Sequence, residues 1–253
     1  MRITAIIPAR YHSTRFEGKP LALILGKPMI RHVYEGVSQS KLIDEIIVAT
    51  DDQRILDVVR SFGGRGMMTS CDHLTGTDRV AEVARKLRCE IIVNVQGDEP
   101  LIKGSIVDAA IRPFLTDSRL SMSTLMTGIE TAEAWKNPHN VKVVVDRQGF
   151  GLYFSRAPIP FQRPPGASAR KPLMLKGVFK HIGVYGFRRK FLLRFSKMNP
   201  TPLERFESLE QLRALENGHP IKAVPVNYTP LSVDTPEDLK HIVRFLSNSA
   251  NNS

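Results

Sequence analysis

Arg10, Arg15 and Lys19 stand within the ten-residue stretch "RYHSTRFEGK", which follows directly on the apolar run "ITAIIPA". Three cations on one loop can neutralise several negative charges, and Gly18 beside Lys19 allows the backbone close to phosphate oxygens. The loop matches neither GxxxxGK[ST] nor GxGxxG, so a solvated cationic loop is the competing reading. Asp98, in "VNVQGDEP", ends another apolar run. A carboxylate there, facing the cationic loop, can hold Mg²⁺ bridged to phosphate oxygens. The alternative is that it only pairs with Arg10 or Arg15. Asp234, in "SVDTPEDL", is a second candidate ligand and equally a candidate helix cap.

Weaker candidates surround these. The turn Thr75-Gly76-Thr77, in "DHLTGTDR", offers hydroxyls and backbone N–H groups suited to a base or ribose. His73, just before it, reads as structural or solvent-facing. His181 and Tyr185, in "KHIGVYGF", share one face of a strand and suit a core or an interface as well as a pocket. Glu210 and Gln211 fall in a helical pattern whose default is exposure. No Ser-His-Asp or Cys-His set stands out, so chemistry here would rest on metal, positioning and charge.

The elements that must position these residues follow from periodicity. "RITAII", "DEIIVATDD" and "EIIVNVQGDEP" are continuous apolar runs, and helical patterns through Ile30, Val33 and Val37, through Ile55, Val58 and Val59, and through Val80, Val83 and Leu87 lie between them. That alternation predicts an α/β fold with a doubly wound, mainly parallel sheet covered on both faces. Ligands of such sheets bind outside the carboxyl ends of the strands. Arg10, Asp51-Asp52 and Asp98 therefore rim one crevice. The middle changes to "LSMSTLM", "NVKVVVD", "GLYFSRA" and "VFKHIGVYGF" around a loop with Pro158, Pro160, Pro164 and Pro165. This predicts an antiparallel insertion with a mobile loop. One helix is expected over "TPLERFESLEQLRALENG", started by a Thr201/Glu204 capping box and closed by Gly218, and a final one over "TPEDLKHIVRFL".

The chain has 253 residues, 42% of them apolar and 24% charged, an ordinary globular composition. No apolar run approaches the roughly 20 residues of a membrane helix, and the opening apolar run is too short for a signal peptide. Cys71 and Cys89 have no metal spacing and read as reduced thiols of a cytoplasmic protein. The net charge is +11, and between Asp146 and Glu204 there are twelve Lys and Arg with no acid. Such a stretch, interleaved with aromatics, can mean nucleic acid, an anionic substrate or a solvated face.

Seven motifs in register carry a resemblance: the cationic loop, "HLTGTDR", "VQGDEP", "YFSRAPIP", "KHIGVYGF", "PLERFESLEQLR" and "VDTPEDL". From Ile3 to Phe245 the chain resembles the 3-deoxy-D-manno-octulosonate (Kdo) cytidylyltransferases, or CMP-Kdo synthetases. Sialic-acid cytidylyltransferases share the opening loop, but the later motifs match the Kdo enzymes better. The resemblance implies a Rossmann-like nucleotidyltransferase fold in a single domain over 1–246. It places a sugar-binding and dimerisation insertion at about 120–190, and 247–253 is expected to be a flexible tail. It implies Mg²⁺-dependent transfer of CMP from CTP to the Kdo anomeric hydroxyl for lipopolysaccharide synthesis, by a cytoplasmic homodimer with no nucleic-acid or membrane partner. A modified Kdo, such as an 8-amino analogue, or sialic acid is the alternative acceptor.

The resemblance also assigns residues. Arg10, Arg15 and Lys19 would hold the triphosphate, with Ala9, Thr75, Gly76 and Thr77 near the nucleoside. Gln96, Arg156, His181, Tyr185, Glu210 and Gln211 would shape the sugar pocket. Asp98 and Asp234 would carry Mg²⁺, and with Arg10 and Lys19 make the catalytic set. One departure stands in the loop: Glu17 replaces a proline common in the family, which adds an anion and removes a rigid residue.

Overall fold

The computed structural model describes residues 1–163 and 175–250, with side chains as far as 248. Pro164, Pro165, Arg170, Lys171 and residues 251–253 lie outside the described residues. The first strand, β1 (Ile3–Ala9), is buried along its length apart from Pro8, as expected of a run with apolar residues on both faces. The cationic loop follows, ends in a 3₁₀ turn over Lys19–Leu21, and leads to a small hairpin, β2 (Leu23–Ile24) and β3 (Lys27–Pro28). Three strand–helix pairs come next: α1 (Met29–Ser38) with β4 (Glu45–Thr50), α2 (Gln53–Ser61) with β5 (Gly66–Met68), and α3 (Gly76–Arg85) with β6 (Ile91–Asn94). Then come α4 (Gly104–Thr116), β7 (Met122–Gly128), α5 (Ala132–Lys136), the hairpin β8 (Lys142–Val145) and β9 (Gly151–Ser155), and β10 (Phe179–Arg188). The chain finishes with α6 (Arg189–Phe195), α7 (Pro202–Glu207), α8 (Leu212–Glu216), β11 (Ile221–Pro225) and α9 (Pro236–Ala250).

Among the described residues nine of these strands form one sheet in the order β11-β7-β10-β6-β1-β4-β5, with β8 and β9 branching from β10, while β2 and β3 pair in a sheet of their own. The unit β6-β1-β4-β5 is parallel, while β10 runs antiparallel to both β6 and β7. The mainly parallel α/β sheet is therefore present, and the antiparallel strands enter it rather than standing apart. Side chains of β1 alternate between two cores. Ile3, Ala5 and Ile7 meet Val33 and Val37 of α1 and Ile106, Val107 and Ala110 of α4. Ile6 meets Val80, Val83 and Ala84 of α3, with Phe191 and Phe195 of α6 in the same cluster. Both faces of the sheet are covered by helices, the arrangement that excludes water from buried parallel strands.

Three expectations need correction. The helix expected over 201–218 is two short helices, because Ser208 takes a left-handed conformation (φ 52°, ψ 48°). The bend is held from outside: Glu207 accepts from the Ser155 hydroxyl and the Arg156 N–H, and Arg213 of α8 pairs with Glu204 of α7. The tail is shorter than 247–253, since α9 continues to Ala250. Leu239, Val243 and Leu246 of α9 pack with Ile24, Met29 and Val233, and Ser247 Oγ donates to the Val243 carbonyl. The basic stretch, finally, is partly internal. Arg188 donates to the carbonyls of Phe114, Asp117 and Leu120 at the end of α4, and Arg189 to those of Ala84 and Arg85 at the end of α3. Unpaired carbonyls at a helix C-terminus attract cations.

Candidate active site

β1 has β6 on one side and β4 on the other, so the strand order reverses there and a crevice opens beyond its carboxyl end. The crevice encloses about 390 Å³ and is lined by Ala9, Arg10, Arg15 and Lys19 of the first loop, Gly76 and Arg79 of α3, and Gln96, Asp98 and Asp234. Glycines let the walls meet: a Cβ on Gly97 would fall 2.7 Å from the Pro8 carbonyl oxygen. A Cβ on Gly76, in the first turn of α3, would fall 3.3 Å from Pro8 Cγ.

The cationic loop is closed by its own backbone. Gly18, at φ +67°, donates from its N–H to the Tyr11 carbonyl at 2.8 Å. The Tyr11 ring lies under Gly18, and the Arg54 guanidinium stacks over that ring at 3.3 Å. Glu17 is not among the crevice-lining residues and meets His12 Nδ1 at 3.2 Å, both side chains being mostly exposed. Its anion therefore has a local partner, while Arg10, Arg15 and Lys19 remain directed at the crevice.

Asp98 and Asp234 come together although 136 positions separate them in sequence. The Val233 N–H donates to the Asp98 carbonyl at 2.9 Å, which docks the segment before α9 on the loop after β6. Lys19 Nζ then lies 2.8 Å from Asp98 Oδ2 and 3.4 Å from Asp234 Oδ1, and Arg15 grips Asp234 through both terminal nitrogens. Asp234 is not the cap of α9. Thr235 and Asp238 fill that role: Asp238 N–H donates to Thr235 Oγ1, and Asp238 accepts from the Asp234 and Thr235 N–H groups. A hard divalent cation suits this pair, because the lysine ammonium already holds the two carboxylates around one positive charge. Among the described residues no cluster of three or more His, Cys, Asp or Glu is placed to hold a metal.

A second cluster continues from Gln96. His181 and Tyr185 of β10 share a face, with ring centroids 5.4 Å apart, and Tyr185 donates its hydroxyl to Gln211 Oε1 at 3.1 Å. Burial lowers the His181 pKa to about 3, so the imidazole is neutral, and its Nε2 meets Thr124 Oγ1 at 2.8 Å. Burial raises the Tyr185 phenol further and also raises Glu210, against which the Thr77 and Thr75 hydroxyls act. The bend at Ser208 is what turns Glu210 and Gln211 inward. Arg156 is engaged at that bend, donating to the carbonyls of Glu207 and Ser208 and to that of Pro138. It stands outside the crevice lining and supports the segment that carries Glu210.

Asp51 and Asp52, expected at the rim, face neighbours instead. Asp52 caps α2 and pairs with Arg54, and Asp51 pairs with Arg79 at 2.6 Å. Arg79, 1% exposed, escaped sequence reading because a base in an amphipathic helix looks solvent-facing. It also donates to Thr69, and so ties the ends of β4 and β5 to the first turns of α3. His73 pairs with Glu82, as a structural histidine would. Burial alone would raise Glu82, but the Ser70 N–H, His73 and Lys86 outweigh it and bring its pKa to about 2.

A switch-point crevice with a closed cationic loop and two facing carboxylates is suited to a polyanionic ligand such as a nucleotide. The family model described as "Cytidylyltransferase" matches residues 4–223. A 3-deoxy-manno-octulosonate cytidylyltransferase of Geobacter metallireducens is 52% identical, covering 98% of both chains. Another, of Geotalea uraniireducens, is 54% identical over 97% of this chain and 99% of its own. The solved structure of a CMP:2-keto-3-deoxy-manno-octonic acid synthetase complexed with CTP superposes with a TM-score of 0.90 at 41% identity, covering 98% of this chain and 100% of its own. The chain belongs to the cytidylyltransferase family, in its 3-deoxy-manno-octulosonate branch.

Proposed function

We propose that the chain joins CMP from CTP to the anomeric hydroxyl of Kdo, giving CMP-Kdo and pyrophosphate for lipopolysaccharide synthesis. The observation that carries this reading is the Asp98–Lys19–Asp234 arrangement beside the cationic loop, in a fold shared with a synthetase complexed with CTP. Arg10, Arg15 and Lys19 hold the triphosphate. Ala9 and the Thr75–Thr77 turn border the nucleoside, and Gln96, His181, Tyr185, Glu210 and Gln211 shape the sugar pocket with Arg156 behind them. The sugar hydroxyl gives its proton to water as its oxygen bonds to the α-phosphorus, and pyrophosphate leaves with the electron pair of the broken bridging P–O bond. Charge spreads over the phosphate oxygens in that transition state, so fixed cations and alignment provide the catalysis. Mg²⁺ held by Asp98 and Asp234 would add neutralising charge and acidify the sugar hydroxyl.

Exposed Leu152, Leu203 and Phe206 on β9 and α7 support a homodimer, and two free thiols support a cytoplasmic setting. No helix among the described residues is long and apolar enough to cross a membrane. A pyrophosphate-release assay across nucleotides and acid sugars tests the activity. Kdo with CTP is expected to give the highest kcat/KM, with ATP and GTP at least about tenfold lower, since each lost base contact costs about 1–3 kcal/mol. Equal turnover with purine triphosphates would sink the nucleotide assignment, and faster turnover of sialic acid the sugar.

Nucleic acid is not expected as a partner. Arg156, Arg188 and Arg189 of the basic stretch already satisfy backbone carbonyls. A gel shift at near-physiological salt should show no length-dependent complex, and submicromolar binding would overturn this.

A further inference from the structure

We infer that Asn94 is a positioning residue that locks the nucleotide turn to the sugar pocket, so that CTP binding orders the sugar side of the site. The inference rests on the proposed reading for which side is which. Asn94 ends β6 and is fully buried behind Ile91, Ile92 and Val93. A carboxamide in such surroundings must find its hydrogen bonds locally. Its Nδ2 donates to Thr77 Oγ1 at 3.2 Å, and its Oδ1 faces Gln96 Nε2 at 3.5 Å. Thr77 is itself buried, in the first turn of α3. Because the Thr77 oxygen accepts from Asn94, its own proton is directed elsewhere, and the carboxyl of nearby Glu210 is an acceptor available to it. Donation therefore runs from Gln96 through Asn94 to Thr77, whose proton is left for Glu210.

The same asparagine borders the other half of the sugar pocket. Its partner across the strand ladder is Tyr185, whose hydroxyl holds Gln211. Gln211 Nε2 is buried without a protein partner among the described residues, a donor left for a ligand oxygen. A shift of the Thr75–Thr77 turn on nucleotide binding would thus be felt at Gln96 through the Asn94 side chain, at Glu210 through Thr77, and at Gln211 through the Asn94–Tyr185 strand pairing. Neither Glu210 nor Gln211 need touch the nucleotide.

Asn94→Asp tests this, since it keeps the shape of the side chain but turns its donor into an acceptor. The Thr77 proton then turns to residue 94 and Glu210 loses it. Calorimetry with CTP alone should show a Kd within about threefold of wild type, because Arg10, Arg15 and Lys19 are untouched. KM for Kdo should rise at least tenfold, with a smaller change in kcat. Thr77→Val should raise KM in the same direction, Thr77→Ser should restore it, and the Asn94→Asp/Thr77→Val pair should be no worse than Asn94→Asp alone. Hydrogen exchange supplies a readout independent of the sugar. CTP should slow exchange at 208–212 in the wild type and fail to do so in Asn94→Asp. A lowered melting temperature with unchanged KM, equal losses in CTP and Kdo binding, or the same CTP-dependent protection in both proteins would overturn the inference. A wild-type protein inactive on Kdo would instead overturn the functional reading, and the exchange comparison would still decide on Asn94.

Discussion

Asp98→Asn is expected to lower turnover at least about a hundredfold while the protein stays folded. The substitution keeps size and leaves an oxygen facing Lys19, now 2.8 Å from Asp98 Oδ2, but it removes the charge that a hard cation requires. Loss of such charge stabilisation at the reacting phosphate forfeits several kcal/mol, and about 1.4 kcal/mol is already a tenfold rate change. CTP binding should weaken far less, because the three cations of the loop remain. Asp234→Asn should follow the same pattern. Its alternative role as a cap predicts instead a lower melting temperature with near-normal turnover. Thr235 and Asp238 carry the cap, so a cap variant such as Thr235→Ala should lower the melting temperature by the equivalent of about 1 kcal/mol. Asp234→Asn with wild-type turnover at saturating Mg²⁺ would return Asp234 to the surface.

Residues that act through local chemistry were the legible ones. The continuous apolar runs of β1, β4 and β6 announce buried parallel strands, with Arg10 directly after β1 and Lys19 and Asp98 in the loops that leave β1 and β6. What escaped depends on partners far along the chain. The bend at Ser208 is imposed by Ser155 and Arg156, about fifty positions away, while the helical pattern of 201–218 runs straight through it. α4 carries Pro113 inside its last turn and opens on Gly104, both poor helix formers, so its periodicity did not stand out. β10 lies antiparallel between β6 and β7, a pairing that no local pattern encodes. Charge was misleading in part. Arg79, Arg188 and Arg189 look like surface bases yet satisfy buried or terminal groups, while Asp234, open between ligand and cap on its own residues, faces cations and leaves the cap to Thr235 and Asp238.

Gly104→Ala should be among the most destabilising of the small substitutions in the sheet's supporting layer, and its effect should reach the site. A Cβ on Gly104 would fall on the backbone of Gln39 and Ser40 at the end of α1, and one on Gly36 on the Ile102 carbonyl oxygen. Neither obstacle is a flexible side-chain tip, so relief requires α1 and the segment 97–104 to move apart. Forced overpacking of this kind costs about 1–3 kcal/mol and sometimes more. At roughly 2–4 °C per kcal/mol for a chain of this size, the melting temperature should fall by about 2–12 °C. That segment also carries Asp98, whose carbonyl holds the Val233 N–H, and the Glu99 carbonyl, which holds that of Ile102. Displacing it disturbs the approach of Asp98 to Asp234, so turnover per folded molecule should fall as well. Gly128→Ala is the control: a Cβ there would meet nothing within 4 Å, and the melting temperature should stay within about 2 °C, as for a neutral surface change. A Gly104→Ala protein as stable as that control would show that α1 and the Asp98 segment slide freely. Wild-type turnover in a destabilised Gly104→Ala protein would show that Asp98 is positioned from β6 and Val233 alone.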